Sequence, residues 1–191
     1  MVKGRGEIIA VSAPSGTGKT TIIKNILKKF PQITFSISAT TRPKRIVEKN
    51  GVEYFFISEK EFLKKIENND FVEWEKFYDY YYGTFKSTIE ENINSGISIL
   101  LEIDVKGALS LKSIYPESHL IYIKPPSFEE LVKRLSERKT ENKDDFKKRI
   151  ERAEMELNHT NKFDYVIINK DLNKAIEETS ELINKILNKE K

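Results

Sequence analysis

The 191-residue sequence has no cysteine, only two histidines and one tryptophan. Nor does it contain an apolar run near the ~20 residues that a membrane helix needs. Each absence removes a class of function. Without cysteine there are no disulfides, thiolate metal sites or thiol nucleophiles, which fits a reducing compartment, and a cytoplasmic setting is expected. The two histidines, His119 and His159, lie far apart in the chain and receive no chemistry. Residues 1–6 lack an apolar segment, so neither a signal peptide nor a membrane span is expected. An excess of one charge is also missing: 33 Lys+Arg against 30 Asp+Glu leaves +3, too balanced to predict a nucleic-acid partner. No repeat or low-complexity linker divides the chain. Its length suffices for a sizeable core, as one domain or as a core with inserts.

What is present starts with Ala13-Pro14-Ser15-Gly16-Thr17-Gly18-Lys19-Thr20. The apolar run Ile8-Ile9-Ala10-Val11 precedes it, and Ile22, Ile23, Ile26 and Leu27 follow at helical spacing. This is strand, glycine-rich loop, helix. Glycine lacks Cβ, so backbone N–H groups can curl around phosphate oxygens, and the first helical turn adds unpaired donors and a positive dipole end. The spacing G-x-x-x-x-G-K-[ST] assigns Lys19 to the β/γ oxygens and the Thr20 hydroxyl to Mg²⁺. Its first position is Ala13 instead of glycine, which requires a negative φ there.

Further along, residues 33–38 alternate like a strand, and a basic stretch with Arg42, Lys44 and Arg45 runs to the turn signal Asn50-Gly51. Residues 52–57 read as strand. Ser58-Glu59-Lys60-Glu61 is a capping box opening a helix expected to bury Phe62, Leu63 and Ile66. An aromatic segment from Phe71 to Tyr82 suggests short strands, and Ser87 is expected to cap the next helix. Residues 97–103 and 120–123 read as strands buried on both faces, with a short helix between them. A second capping box joins Ser127 to Glu130, a highly charged stretch follows, and residues 165–168 form the last strand before a helix capped by Asp171. Buried strands alternating with helices imply an α/β fold: a parallel sheet flanked by helices, with an inserted subdomain around residues 38–87.

Several side chains have the chemistry to act at such a site. Asp104 ends a buried strand, where it holds Mg²⁺ directly or through water, faces a second substrate, or simply caps the next helix. Arg42 and Arg45 suit a dianionic phosphate, unless the loop is only a solvated basic turn. Tyr54 and Tyr82 offer hydroxyl donors or half-buried packing. Trp74 is read as packing. Glu73 sits among Phe71, Val72 and Trp74, where a carboxylate needs donors. Guanine supplies two adjacent ones, N1–H and the exocyclic amine, and Ser38 and Thr84 add hydroxyls. Adenine has an acceptor at N1 and would leave the carboxylate unpaired. The charged stretch holding Arg134, Arg138, Arg149 and Arg152 is either an exposed helix or a lid that brings arginines onto a transferring phosphoryl group.

Taken in order, these motifs resemble the guanylate kinase family over nearly the whole chain. The resemblance rests on the loop at residues 13–20, Ser38-Ala39-Thr40-Thr41-Arg42-Pro43-Lys44-Arg45, Asn50-Gly51-Val52-Glu53-Tyr54, Phe71-Val72-Glu73-Trp74, Tyr81-Tyr82-Gly83-Thr84 and Glu102-Ile103-Asp104-Val105-Lys106-Gly107. Pro125-Pro126-Ser127, Arg134-Leu135-Ser136-Glu137-Arg138, Arg149 and Asn169 continue it. It implies a P-loop NTPase core (about 1–36, 88–126 and 160–191), an inserted GMP-binding region (about 37–87) and a helical lid (about 127–159). It also implies phosphoryl transfer from ATP to GMP, and to dGMP, with Mg²⁺, and no nucleic-acid or membrane partner; the oligomeric state stays open. By matching positions, the GMP phosphate falls to Arg42, Arg45, Tyr54 and Tyr82, the guanine ring to Ser38, Glu73, Thr84 and Asp104, the lid arginines to Arg134, Arg138 and Arg149, and the edge of the ATP adenine to Asn169. The chain departs from the family pattern at Ala13 and at Lys139, where glycine commonly follows the lid arginine. Two rival classes are a regulatory GTPase and a non-catalytic binding module of the same fold. For the first, Asp104-Val105-Lys106-Gly107 matches D-x-x-G, but after Asn169-Lys170 its guanine motif needs an aspartate one position beyond Asp171, where Leu172 stands. Against the second, Lys19, Arg42, Arg45, Asp104 and the lid arginines are all present.

Overall fold

A computed structural model describes residues 4–77, 79–137 and 143–189. Its centre is a five-stranded sheet in the order β2-β7-β1-β8-β9, every neighbouring pair parallel. The strands are β1 (Ile8–Ser12), β2 (Thr34–Phe35), β7 (Ile99–Glu102), β8 (His119–Lys124) and β9 (Tyr165–Ile168). Alternation along β1 explains why both faces are covered. Ile8 and Ala10 pack with Ile89 and Ile93 of α3 (Lys86–Asn94) and Ala108 and Leu111 of α4 (Val105–Ile114). Ile9 and Val11 face Ile22 and Ile26 of α1 (Lys19–Lys29) and Ala175 and Ile183 of α7 (Leu172–Asn188). Each fully buried isoleucine contributes roughly 1.5–3 kcal/mol of apolar transfer free energy. The expected parallel α/β core is what this pattern builds.

The insert forms a second sheet, β4-β3-β6-β5, from β3 (Ala39–Thr40), β4 (Phe55–Phe56), β5 (Phe71–Phe77) and β6 (Tyr80–Phe85). Its small core stacks Phe62 of α2 (Glu59–Glu67) on Phe71 at 4.5 Å and on Tyr81 at 5.3 Å. Val72 of β5 reaches the cluster on one face of the large sheet, which ties the two sheets together. Two further helices, α5 (Phe128–Ser136) and α6 (Lys143–Leu157), lie against each other through Leu131, Leu135 and Ala153.

Caps follow the sequence at three helices. Ser58, Ser127 and Asp171 accept from the backbone N–H of Glu61, Glu130 and Lys174. Elsewhere the structure corrects the sequence reading. Strand β2 is only two residues long: Ser36 N still donates to Leu100 O of β7, and the chain then leaves the large sheet for the small one. Residues 51–53 turn, with Gly51 at φ 76°, so the strand shrinks to Phe55–Phe56, with Tyr54 bridging back to Asn50. Ser87 lies inside α3; Phe85 holds the cap position with no side-chain bond. Leu63 is exposed while Phe62 alone is fully buried, since the helix presents one narrow stripe to the small sheet. Trp74 is 47% exposed on the outer face of β5, so it is not core packing.

Candidate active site

The loop after β1 closes on itself. Thr17 donates its hydroxyl to Pro14 O at 2.9 Å, and Gly16 and Gly18 hold φ of 92° and 88°. A side chain at Gly18 would be strained by that φ and would also meet Asn169 Nδ2 at 2.8 Å. Gly18 is the N-cap of α1 and makes no side-chain capping bond, which leaves the first-turn N–H groups available to an external acceptor such as an anion. Among the described residues, positive φ outside glycine is confined to Asn69 and Lys189. Ala13 therefore keeps ordinary backbone geometry, and its methyl group is buried.

Glu102, the last residue of β7, stands opposite Val11 in register. One of its oxygens, Oε1, lies 3.6 Å from Lys19 Nζ and 3.3 Å from Thr20 Oγ1. Sequence reasoning put the acidic partner of this loop at Asp104. Strand β7 stops at Glu102, two residues short of Asp104, so the carboxylate beside Lys19 and Thr20 is Glu102. Asp104 is the N-cap of α4, its Oδ1 accepting from Gly107 N at 2.7 Å and its Oδ2 from Arg152 at 2.9 Å. The signal for Glu102 was available as the last strand residue beside the loop-bearing strand.

A second cluster forms where β5 and β6 pair Glu73 with Thr84. Thr84 donates to Glu73 Oε1 at 2.6 Å, and Ser38 Oγ lies 3.5 Å from the Thr84 hydroxyl. Burial pushes the Glu73 carboxyl up to about 7; the Thr84 bond opposes that shift, and Asp104 and Glu75 add to it. A carboxylate so placed has strong reason to accept two donors from a ligand. Gly107 makes the room. A Cβ there would sit 3.0 Å from Glu73 Cγ, 3.1 Å from Glu73 Oε2 and 3.2 Å from Asp104 Oδ1. Gly107→Ala is expected to displace both carboxylates and raise the KM for the acceptor nucleotide severalfold, with the KM for the donor nucleotide near its normal value. Initial rates with each nucleotide varied in turn check this; an equal rise in both KM values would refute it.

The basic loop gathers around Arg42. Its Nη2 donates to Glu48 Oε1 at 2.7 Å, and its Nη1 to Glu48 Oε2 at 3.1 Å and to Pro43 O at 2.9 Å. Glu48 also accepts from Arg45 N at 2.8 Å and is the main cause that holds the Arg42 pKa above its ordinary value. Three of the five guanidinium donors are engaged in this way. Tyr82 also interacts with Arg42 and helps to raise its pKa. Tyr54 lies edge-on to Tyr82 at 5.9 Å, and Arg42 stands 5.6 Å above the Tyr54 ring. The Arg45 side chain is exposed. Glu48 was missed in the sequence, where nothing distinguishes it from any loop acid.

From α6, Arg149 donates to the hydroxyl of Ser15 in the loop after β1. Arg134 of α5 donates from Nε to Glu130 at 2.9 Å and from Nη1 to Asn169 O at 3.3 Å. Asn169 itself is buried, and its amide donates to Thr17 O at 2.6 Å. It thus braces the loop from below. Arg138 and Lys139 lie outside the described residues.

A sequence model of the guanylate kinase family matches residues 5–186. A guanylate kinase of Thermotoga maritima is 44% identical over 173 residues, covering 91% of this chain and 84% of its own. One from Bacteroides thetaiotaomicron is 46% identical over 187 residues, covering 97% and 92%. The crystal structure of guanylate kinase from Anaplasma phagocytophilum superimposes with a TM-score of 0.77 at 30% identity, covering 98% of this chain and 89% of that one.

Proposed function

This chain belongs to the guanylate kinase family, and we propose how its own side chains divide the transfer of a phosphoryl group from ATP to GMP. The activity itself, ATP:GMP phosphotransferase, follows from the family. The division of labour rests on one observation above all. A partly buried, donor-seeking Glu73 with its Thr84 partner lies on the second sheet, while the anion-seeking loop lies on the first. Two separate clusters of opposite chemistry suit two nucleotides.

In this reading the loop at residues 13–20 takes the ATP phosphates, with Lys19 on the β/γ oxygens, and Asn169 supports it through Thr17. The region of the second sheet, about 37–87, takes GMP. Glu73 accepts from guanine N1–H and the exocyclic amine, with Ser38, Thr84 and Asp104 around the ring. Arg42, Tyr54 and Tyr82 hold the GMP phosphate, and Arg45 closes from the solvent side. Glu48 keeps Arg42 from swinging away before substrate arrives. The segment of about 127–159 acts as the lid, with Arg134 and Arg149 reaching over the transferring group. Arg138 is assigned to the lid by its family position alone.

The GMP phosphate is the nucleophile. Its second pKa is ~6, so it is mostly dianionic near neutrality and requires no side-chain base. Its oxygen forms the new P–O bond as the bond to the ADP leaving oxygen breaks, and catalysis is positioning plus neutralisation of charge. Lid arginines also exclude water, which limits hydrolysis of ATP. Magnesium suits the donor set beside the loop: the Thr20 hydroxyl and a Glu102 oxygen are hard oxygen donors 3.3 Å apart. No group of three or more acidic or histidine side chains forms a metal cage among the described residues, in keeping with an ion that arrives with nucleotide phosphates and waters. When bound, it would screen the charge of the ATP tail. Among the described residues no helix is long and apolar enough to cross a membrane.

A coupled assay for ADP release tests the reading. GMP and dGMP should support turnover, and AMP and UMP should not. Absence of GMP-dependent ADP formation would remove it.

A further inference from the structure

One residue of the lid segment, Arg152 of α6, takes no part in holding either nucleotide, yet its guanidinium joins three elements. Arg152 of α6 donates from Nη2 to Glu75 Oε2 at 2.8 Å and to Asp104 Oδ2 at 2.9 Å. Its Nε donates to Glu156 Oε1 at 2.9 Å, one turn along the same helix. Its guanidinium also stands 4.8 Å above the Phe77 ring. These partners belong to three different units. Glu75 and Phe77 are on β5 of the second sheet, Asp104 is the cap of α4 on the core, and Glu156 is on α6. The cluster is shielded enough to matter: the Arg152 side chain is 27% exposed and that of Glu156 only 9%. A planar fork with fixed donor directions can register three elements at once, which a lysine cannot do.

The neighbour that gives this register a purpose is Arg149. It stands three positions earlier on the same helix, hence on the same face, and it donates to Ser15 of the loop after β1. Helix α6 therefore touches the ATP half of the site through Arg149 and the guanine half through Arg152. Glu75 lies two residues from Glu73 on β5, and Asp104 flanks Glu73 across Gly107.

We propose that Arg152 is the positioning residue that docks the lid helix on the wall of the guanine pocket, and that this docking sets Arg149 over the transferring phosphoryl group. The proposal rests on the lid reading given above. It assigns Arg152 no contact with either nucleotide. Its effect is carried by Arg149, so its loss lowers kcat more than it disturbs ATP binding.

The experiment is a set of four variants, R152A, E75Q, R149A and R149A/R152A, each with kcat and both KM values and a thermal melt. R152A is expected to lose roughly 10–100-fold in kcat, the scale of a misplaced catalytic group. KM for ATP should stay within about twofold of the wild-type value, because no contact to the P-loop is removed with Arg152. E75Q keeps the shape of the side chain and weakens one arm of the clamp. It should show a smaller loss of the same kind, and it keeps the test decisive if R152A does not fold. The double variant should be no slower than R149A alone, because Arg152 acts through Arg149. A merely structural Arg152 would lower the melting temperature and leave kcat of the folded protein unchanged, which overturns the proposal. Losses that multiply in the double variant overturn it as well, while leaving the lid assignment intact. A normal kcat in R149A removes the lid role of Arg149 itself, and the proposal falls with it.

Discussion

Lys19→Ala is expected to lower kcat by about 10²–10³-fold or more, the cost of removing one preorganised electrostatic group from developing charge. The fold should survive. The lysine side chain is 19% exposed, it lies 3.6 Å from Glu102 Oε1, and it does not belong to either apolar cluster of the large sheet. Thr20 still holds that carboxylate at 3.3 Å after the change, so the acid is not left without a donor. The measurement is ADP release under saturating ATP and GMP, with a melting curve as control. A variant that melts like the wild type and turns over at a similar rate would remove Lys19 from the reaction.

Glu73→Gln should weaken GMP and leave ATP nearly alone. The amide keeps one acceptor oxygen and replaces the other with a donor that faces a donor on the base. Losing a charge-assisted bond costs about 1.5–3 kcal/mol. That corresponds to roughly 10–150-fold in kcat/KM for GMP. Equal losses for both nucleotides would reject the assignment. The pH dependence gives a second readout with a definite sign. In the proposed assignment guanine takes the ionised carboxyl, which burial pushes up to about 7 in the free protein. Affinity for GMP should therefore rise as pH increases through 7 and fall below it. The phosphate, with its second pKa of ~6, adds its own inflection. Binding measured from pH 5.5 to 8.5 should retain the phosphate inflection in Glu73→Gln and lose the one near 7. An unchanged profile would mean that another group is responsible. The linkage to stability runs the other way. The folded protein holds this proton above the ordinary carboxyl range of 4.5, so the unliganded protein loses stability as pH rises from 4.5 through 7. The glutamine variant should escape that loss and melt higher than the wild type at pH 8.

Much of this was legible in the chain because the physics is local. A strand followed by glycine, Lys19 and Thr20 carries its own reason to bind phosphate. Ser58, Ser127 and Asp171 each announce a helix that starts at the next residue, and the cap bond that marks it spans only three residues. The apolar runs at β1, β7 and β8 require two covered faces and hence a parallel sheet. Glu73 was also readable: a carboxylate between Phe71, Val72 and Trp74 needs a partner wherever it goes. What failed locally did so for nameable reasons. Two-residue strands such as β2 and β4 are too short to impose an alternation, and Ser87 lost the cap because the chain enters α3 two residues earlier.

The sequence by itself determined the strand–glycine loop–helix unit at residues 8–29, the order of strands and helices and the presence of a carboxylate in an apolar setting at Glu73, because each is written within a few consecutive residues. Only the tertiary structure decided which acid meets which partner. Glu102 and Asp104 are two residues apart in the chain, yet one ends β7 beside Lys19 and the other caps α4 beside Arg152. Arg152 finds Glu75 across 77 positions and Asp104 across 48. Such pairings are set by sheet register and by how α6 lies on β5. Both are fixed by burial of apolar faces distant in sequence, so no local pattern in the chain encodes them.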